Sequence, residues 1–130
     1  MNSDLVTLLP LFFGIAIVAV AAITATRSAA HGNLARNSSI GIRTRHTQVS
    51  GEAWLAGHAA ALPLMKLTGW VAVATIVLAI AAGTAFNTTW SITIALIGLT
   101  LEVAVVLWAT AIATRAALSV IDPTANHNRS

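Results

Sequence analysis

A short polar stretch carries four side chains that could bind an anion, namely Arg43, Thr44, Arg45 and Thr47. A guanidinium presents a planar fork of N–H donors that matches the oxygens of a phosphate or a carboxylate. The threonine hydroxyls add donors, and a helix beginning near Ser50 would add free backbone N–H groups. Together these groups could hold a lipid phosphate or a partner's carboxylate. Alternatively, the two arginines only set the membrane orientation of the chain and touch headgroups without specificity.

A tryptophan and a histidine follow this stretch at helical spacing. Trp54 and His58 are four residues apart, so a helix places them with Leu62 on one face. His58 could be a pH-sensitive switch or a ligand. We expect it instead to hydrogen-bond the backbone of residues 41–47 beneath Trp54. Because the other histidines share no metal-ligand spacing with it and the chain has no cysteine, the sequence predicts neither a metal site nor a cofactor.

Glu102 is the one acid in the middle of a long apolar run. A charge at the centre of a bilayer costs about 3 kcal/mol on insertion scales, so such a residue calls for a role. It shares a helix face with small residues, including Ala95, Gly98 and Ala109, so we expect it to face another helix and not lipid. We consider three roles for Glu102, in order of preference. It is protonated and stabilises helix packing through a hydrogen bond to a group such as Thr75, it contacts another subunit, or it is part of an ion relay.

The chain shows none of the arrangements typical of an enzyme, such as a nucleophile with its base, a phosphate-binding glycine loop or paired carboxylates. We therefore expect a non-enzymatic protein that acts by contact. A minor alternative is a small enzyme or carrier acting on lipid, with Arg43 as the phosphate anchor and His58 as the base.

The elements that position these residues are membrane helices. Apolar runs cover residues 5–26, 67–86 and 91–114, each long enough at 1.5 Å per residue to cross a hydrocarbon core of roughly 30 Å. Hydrophobic residues make up 57% of the 130-residue chain and charged residues only 8%, against about 25% charged in soluble domains. The sequence predicts one all-α membrane domain, residues 1–130, with three transmembrane helices.

The loop over residues 27–66 is predicted to contain a further helix. Ser50 is suited to the N-cap position, Glu52 complements the helix dipole in the first turn, and Pro63 kinks or ends the helix. We expect an interfacial amphipathic helix over about residues 51–62, lying at the inner membrane surface. A polar tail is expected over residues 115–130.

Charge asymmetry predicts the orientation. Five basic residues lie in the first loop and none in the turn at residues 82–90. The positive-inside rule therefore places the loop and the C-terminus in the cytoplasm and the N-terminus outside. Because the basic residues flank membrane spans, the net charge of +3 does not call for a nucleic-acid partner. The excess of arginine over lysine, together with abundant alanine, favours a bacterial source and hence the cytoplasmic (inner) membrane.

One pattern precedes the second apolar run and consists of Asn37, Gly41-Ile42-Arg43-Thr44, Thr47, Trp54 and His58. It resembles the signature of the SdpI family of bacterial membrane proteins, whose namesake is a toxin-immunity and signalling protein. The chain departs from many relatives after the histidine, where Ala59–Pro63 stands in place of a basic and polar stretch.

The resemblance implies a small membrane protein that binds another membrane protein or a membrane-active peptide and regulates or protects. The alternative is a constitutive accessory subunit of a larger complex, such as a transport or respiratory assembly. The expected partners are membrane lipids and another membrane protein or a second copy of the chain.

Overall fold

Three long helices dominate the computed structural model, which describes residues 6–122. They are α1 (Leu9–Ala30), α2 (Gly51–Ala85) and α3 (Thr88–Ile121). Each is long and apolar enough to cross a membrane. The predicted all-α architecture with three membrane-spanning helices is therefore confirmed.

The helices run up, down and up. Only Phe86 and Asn87 separate α2 from α3, so these two helices form an antiparallel hairpin. The Asn87 side chain caps α3 by accepting a hydrogen bond from the backbone N–H of Trp90 at 3.2 Å. At the other end of the molecule, the indole of Trp54 bonds the carbonyl of Leu34, which brings the start of α2 beside the end of α1.

Small residues line the contact between α2 and α3. Their buried positions include Ala61, Ala72 and Ala79 on α2 and Ala95, Ala109, Ala113 and Ala117 on α3. Gly98 lies in the same stripe, and any Cβ there would collide with the side chain of Thr75. Side chains of this size let the two backbones approach closely, which strengthens van der Waals packing where lipid supplies no hydrophobic drive.

Helix α1 packs mainly against α2 and makes only sparse contact with α3. Its larger side chains, Phe12 and Ile15, join a buried cluster that includes Ala72 and Ala95. This cluster lies toward the N-terminal half of α1. Thr26 and Ala29, near its C-terminal end, are also buried, and an open groove beside Thr26 lies between α1 and α3.

The separate interfacial helix predicted over residues 51–62 is not found. These residues form the first turns of α2, which continues through Pro63 to Ala85. Ser50 is the N-cap as predicted, and its hydroxyl accepts from the backbone N–H of Ala53 at 3.1 Å. Proline removes one backbone hydrogen bond, but the buried stripe continues on both sides of it, at Ala61 and Met65. Packing against α3 therefore keeps one continuous helix.

The helix lengths show how far α2 and α3 extend beyond the predicted spans. With 35 residues, α2 is roughly 50 Å long, well beyond a hydrocarbon core of about 30 Å. Helix α3 continues to Ile121, so residues 115–121 of the predicted tail are helical. Helix α1 ends at Ala30, just before Gly32 takes a φ of 75°. The predicted start at Leu5 and residues 123–130 lie outside the described residues.

Candidate contact site in the loop between α1 and α2

Trp54 anchors the loop to the first turns of α2. Its side chain is 2% exposed, and its Nε1–H donates to the carbonyl oxygen of Leu34 at 3.0 Å. Its ring lies 4.1 Å, centroid to centroid, from the imidazole of His58. The buried indole therefore supports the loop through the hydrogen bond to Leu34 and through packing.

His58 ties the loop backbone to α2 through both ring nitrogens. Its Nε2 accepts from the backbone N–H of Ile42 at 2.8 Å, which is the contact with residues 41–47 that the sequence led us to expect. The other nitrogen, Nδ1, lies 2.8 Å from the carbonyl oxygen of Trp54. Because an acceptor nitrogen carries no proton, the ring is neutral with its hydrogen on Nδ1. With the side chain fully buried, neither nitrogen is free for a ligand or a substrate.

Gly41 meets two requirements that only glycine satisfies together. Its φ of 108° lies in a region that side chains disfavour. A Cβ at this position would also stand 2.9 Å from Nε2 of His58 and 2.9 Å from Cη2 of Trp54. The loop can therefore lie directly on the tryptophan and histidine rings only because residue 41 has no side chain.

Thr44 and Thr47 close the next turn by reciprocal hydrogen bonds. The backbone N–H of Thr44 donates to Oγ1 of Thr47 at 3.0 Å, and the N–H of Thr47 donates to Oγ1 of Thr44 at 3.2 Å. The hydroxyl of Thr47 also donates to the carbonyl of Ile42 at 2.7 Å. Since these bonds lie within the turn, the two hydroxyls shape the loop.

Gly57 is a site residue that the sequence reasoning missed. A Cβ there would stand 2.9 Å from the methyl carbon of Thr47 and 3.0 Å from the carbonyl oxygen of Ala113. The loop, α2 and α3 thus meet at one point. The sequence signal that could have identified Gly57 is a glycine inside a predicted helix, directly before the candidate residue His58.

The arginines remain at the surface. Arg43 is exposed. With the Gln48 amide assigned so that its oxygen faces the guanidinium, that oxygen accepts from Nε of Arg43 at 2.6 Å and from Nη2 at 3.3 Å. Arg45 is exposed on the same turn. Arg36 holds the base of the loop because its Nη1 donates to the carbonyl of Val49 at 2.9 Å.

The structure therefore divides the predicted loop residues into two groups. Thr44, Thr47, Trp54 and His58 form an internal network that fixes the backbone. Four exposed side chains of the loop make up what we call the loop face: the apolar Ile40 and Val49 and the cations Arg43 and Arg45. Ile40 and Arg43 also border the groove between α1 and α3. This arrangement can present a cationic, partly apolar surface in one conformation.

Glu102 lies apart from the loop, in the interface between α2 and α3. It is fully buried, so it faces protein as predicted. Within residues 6–122 neither carboxyl oxygen has a hydrogen-bond partner, and the expected bond with Thr75 is not formed. The Thr75 side chain instead packs against Gly98, one helical turn from the acid.

Metal binding has no support in the described part of the chain, where no group of three or more histidine or acidic residues is placed to hold an ion. The site is thus made of arginines, aliphatic side chains and a fixed backbone.

Comparison with known proteins gives one match. A sequence model of the SdpI/YfhL protein family matches residues 33–112, which include the loop, all of α2 and most of α3. No curated protein and no solved structure matches the chain significantly.

Proposed function

Because this chain belongs to the SdpI/YfhL protein family, we propose that it acts by contact and without catalysis. The proposed partner is another membrane protein or a membrane-active peptide, and the proposed role is regulatory or protective. The family match includes every residue of the loop face, which is where we place the contact.

The observation that carries this proposal is that the buried and the exposed side chains of the loop have different roles. The buried side chains form hydrogen bonds with one another and with the loop backbone. Arg43 and Arg45 are left exposed on a backbone that is already fixed. A preorganised surface loses little conformational entropy when it binds, so more of the contact energy becomes affinity.

The chemistry of the loop face defines the partner. Two guanidinium groups favour carboxylates or other planar anions. Ile40 and Val49 are 58% and 54% exposed, and they add apolar surface beside the charges. We infer a partner with an acidic, amphipathic segment near the membrane surface.

The test is photocrosslinking in native membranes. A photoreactive amino acid replaces Val49 in one version of the full chain and Leu107, an exposed α3 residue, in the other. The proposal predicts a discrete protein or peptide adduct from position 49 and lipid adducts alone from position 107. Lipid adducts alone from both positions would contradict it.

Charge reversal refines the test. Arg45→Glu should remove the adduct formed at position 49, because it places a carboxylate opposite the partner's acids. Arg115→Glu is the matched control, since Arg115 is also exposed but lies on α3, outside the loop face. If both variants keep the adduct, the loop-face cations do not recognise the partner.

An accessory subunit would behave differently after extraction. In a mild detergent such a subunit remains in a stoichiometric complex, whereas a regulatory or protective contact leaves much of the chain free. Quantifying what co-purifies at native expression distinguishes the two roles.

A further inference from the structure

An open groove lies beside the loop, between α1 and α3, and encloses about 350 Å³. It exists because α1 contacts α3 only sparsely, and Met65 of α2 lies between them as part of the lining. Ala22 and Ala25 form the α1 wall and Val106 belongs to the α3 wall. The volume is at the lower end of the range of about 300–1,000 Å³ that ligand sites occupy.

Among residues 6–122, Arg43 is the only charged residue that lines the groove. With the Gln48 amide oxygen assigned to face Arg43, that oxygen orients the guanidinium through Nε and Nη2, and the Nη1 donors can bind another acceptor. The polar groups of Thr44 and Thr110 are used within the chain, since the hydroxyl of Thr110 donates to the carbonyl of Val106 at 2.9 Å. The groove is thus apolar with one cationic end.

The groove has the orientation of a membrane lipid, with a polar end toward the membrane surface and an apolar end toward the hydrocarbon core. Ala22 and Ala25 belong to the apolar run of α1, whereas Arg43 belongs to the loop that follows that helix. The cation therefore lies at the membrane surface and the apolar walls extend toward the hydrocarbon core. An extended peptide in such walls would bring backbone polar groups that find no partners there, whereas an acyl chain brings none.

We propose that this groove binds one acyl chain of an anionic phospholipid and that Arg43 binds its phosphate. This inference goes beyond the proposed function because it concerns a lipid in the groove between α1 and α3. Arg43 and Ile40 border both the groove and the loop face, whereas Arg45 and Val49 do not line the groove. The bound lipid would fill the space that α1 and α3 leave open and hold the loop against the membrane surface.

The test measures which lipids stay with the full chain. The protein is reconstituted in nanodiscs of four parts phosphatidylcholine to one part phosphatidylglycerol, released gently, and analysed for bound lipid by native mass spectrometry. The proposal predicts that the ratio of phosphatidylglycerol to phosphatidylcholine in the retained lipid is about five times the bulk ratio, the equivalent of about 1 kcal/mol for one arginine at an anionic surface.

Matched variants show whether Arg43 is responsible. Arg43→Gln should return the retained lipid to the bulk ratio, and Arg115→Gln, which removes an exposed arginine outside the groove, should leave the enrichment intact. Bulk composition in the wild type, or equal enrichment in the wild type and Arg43→Gln, would overturn the proposal.

A second variant tests the acyl chain. Ala25→Phe fills the groove from the α1 wall and should reduce retained lipid of both kinds while circular dichroism shows the helices intact. Unchanged retention in this variant would place the lipid elsewhere on the surface. Arg45→Glu should alter the protein adduct but not the retained lipid, so the two proposals fail separately.

Discussion

His58 shows how one side chain can decide the shape of a loop. Its imidazole accepts from Ile42 on the loop and also engages the Trp54 carbonyl on α2. A neutral imidazole suits this position, because one ring nitrogen accepts from the Ile42 N–H and the other donates to the Trp54 carbonyl. The sequence made His58 a candidate pH switch because an imidazole can ionise. In the structure the ring is held neutral, and it supplies a hydrogen-bond acceptor instead.

The role of His58 is testable by removing the acceptor while keeping the ring. His58→Phe should lower the free energy of unfolding by about 1–3 kcal/mol, because the buried N–H of Ile42 loses its partner. Unfolding in mixed micelles, followed by tryptophan fluorescence, measures this change. The control is His31→Phe, which removes a hydrogen bond between Nδ1 and the Arg27 carbonyl at an exposed position. Water can replace that bond, so a change within about 0.5 kcal/mol is expected. Equal stability of His58→Phe and the wild type would contradict the role given to this bond.

Glu102 poses the opposite case, a polar side chain with no hydrogen bond to its carboxyl oxygens in the described residues. Replacing an unsatisfied buried polar group with an apolar one of similar size is neutral or stabilising. Glu102→Leu should therefore be at least as stable as the wild type in the same unfolding assay.

A control in the same stripe shows that the assay senses this interface. Ala95→Leu adds bulk where Ala95 is fully buried and should cost about 1–3 kcal/mol through overpacking. If Glu102→Leu loses more than about 1 kcal/mol, the acid has a hydrogen-bond partner in the folded protein. A stable Glu102→Leu variant that loses function would assign the acid to a contact or a relay.

At the scale of elements, the junction of the loop with α2 and α3 depends on Gly57. Gly57→Ala should destabilise the protein by about 1–3 kcal/mol, because the new methyl group meets Thr47 and the α3 backbone at Ala113. This loss opposes the gain of about 1 kcal/mol that alanine brings to an ordinary helix position.

Gly14→Ala is the matched control for this prediction, because nothing lies within 4 Å of a Cβ there. Its stability should be unchanged or higher. If both glycine variants behave alike, the loop does not pack into the junction of α2 and α3 as described. Chemical denaturation of the two variants in the same micelles provides the comparison.

The elements also show what local sequence patterns can and cannot predict. The apolar runs predicted the three helices, and Ser50 predicted where α2 begins, because both signals are local. Pro63 misled the prediction because its effect depends on whether a distant helix packs on both sides of it. The groove and the role of Gly57 arise from contacts between segments far apart in the chain, which spacing alone does not reveal.

At the scale of the whole molecule, the structure links the loop to the C-terminal end of α3. Gly57, seven residues into α2, contacts Ala113, so the two regions lie at the same end of the bundle. The turn at Asn87 lies at the opposite end, because α2 and α3 form an antiparallel hairpin. Two independent arguments therefore concern topology: the packing pairs the loop with the C-terminal end of α3, and the charge asymmetry predicts that this end of the bundle is cytoplasmic.

Reporter fusions test the two arguments separately. Reporters placed after Arg36 and at the C-terminus should both read inside, and one placed after Asn87 should read outside. The full chain with charge-neutral linkers serves as the host, so that the fusions do not alter the balance of basic residues. Loop and C-terminal reporters on opposite sides would contradict the packing of α2 against α3. If all three signals are inverted, the packing stands and the charge argument fails, which would move the cationic loop face and its proposed partner to the outer surface of the membrane.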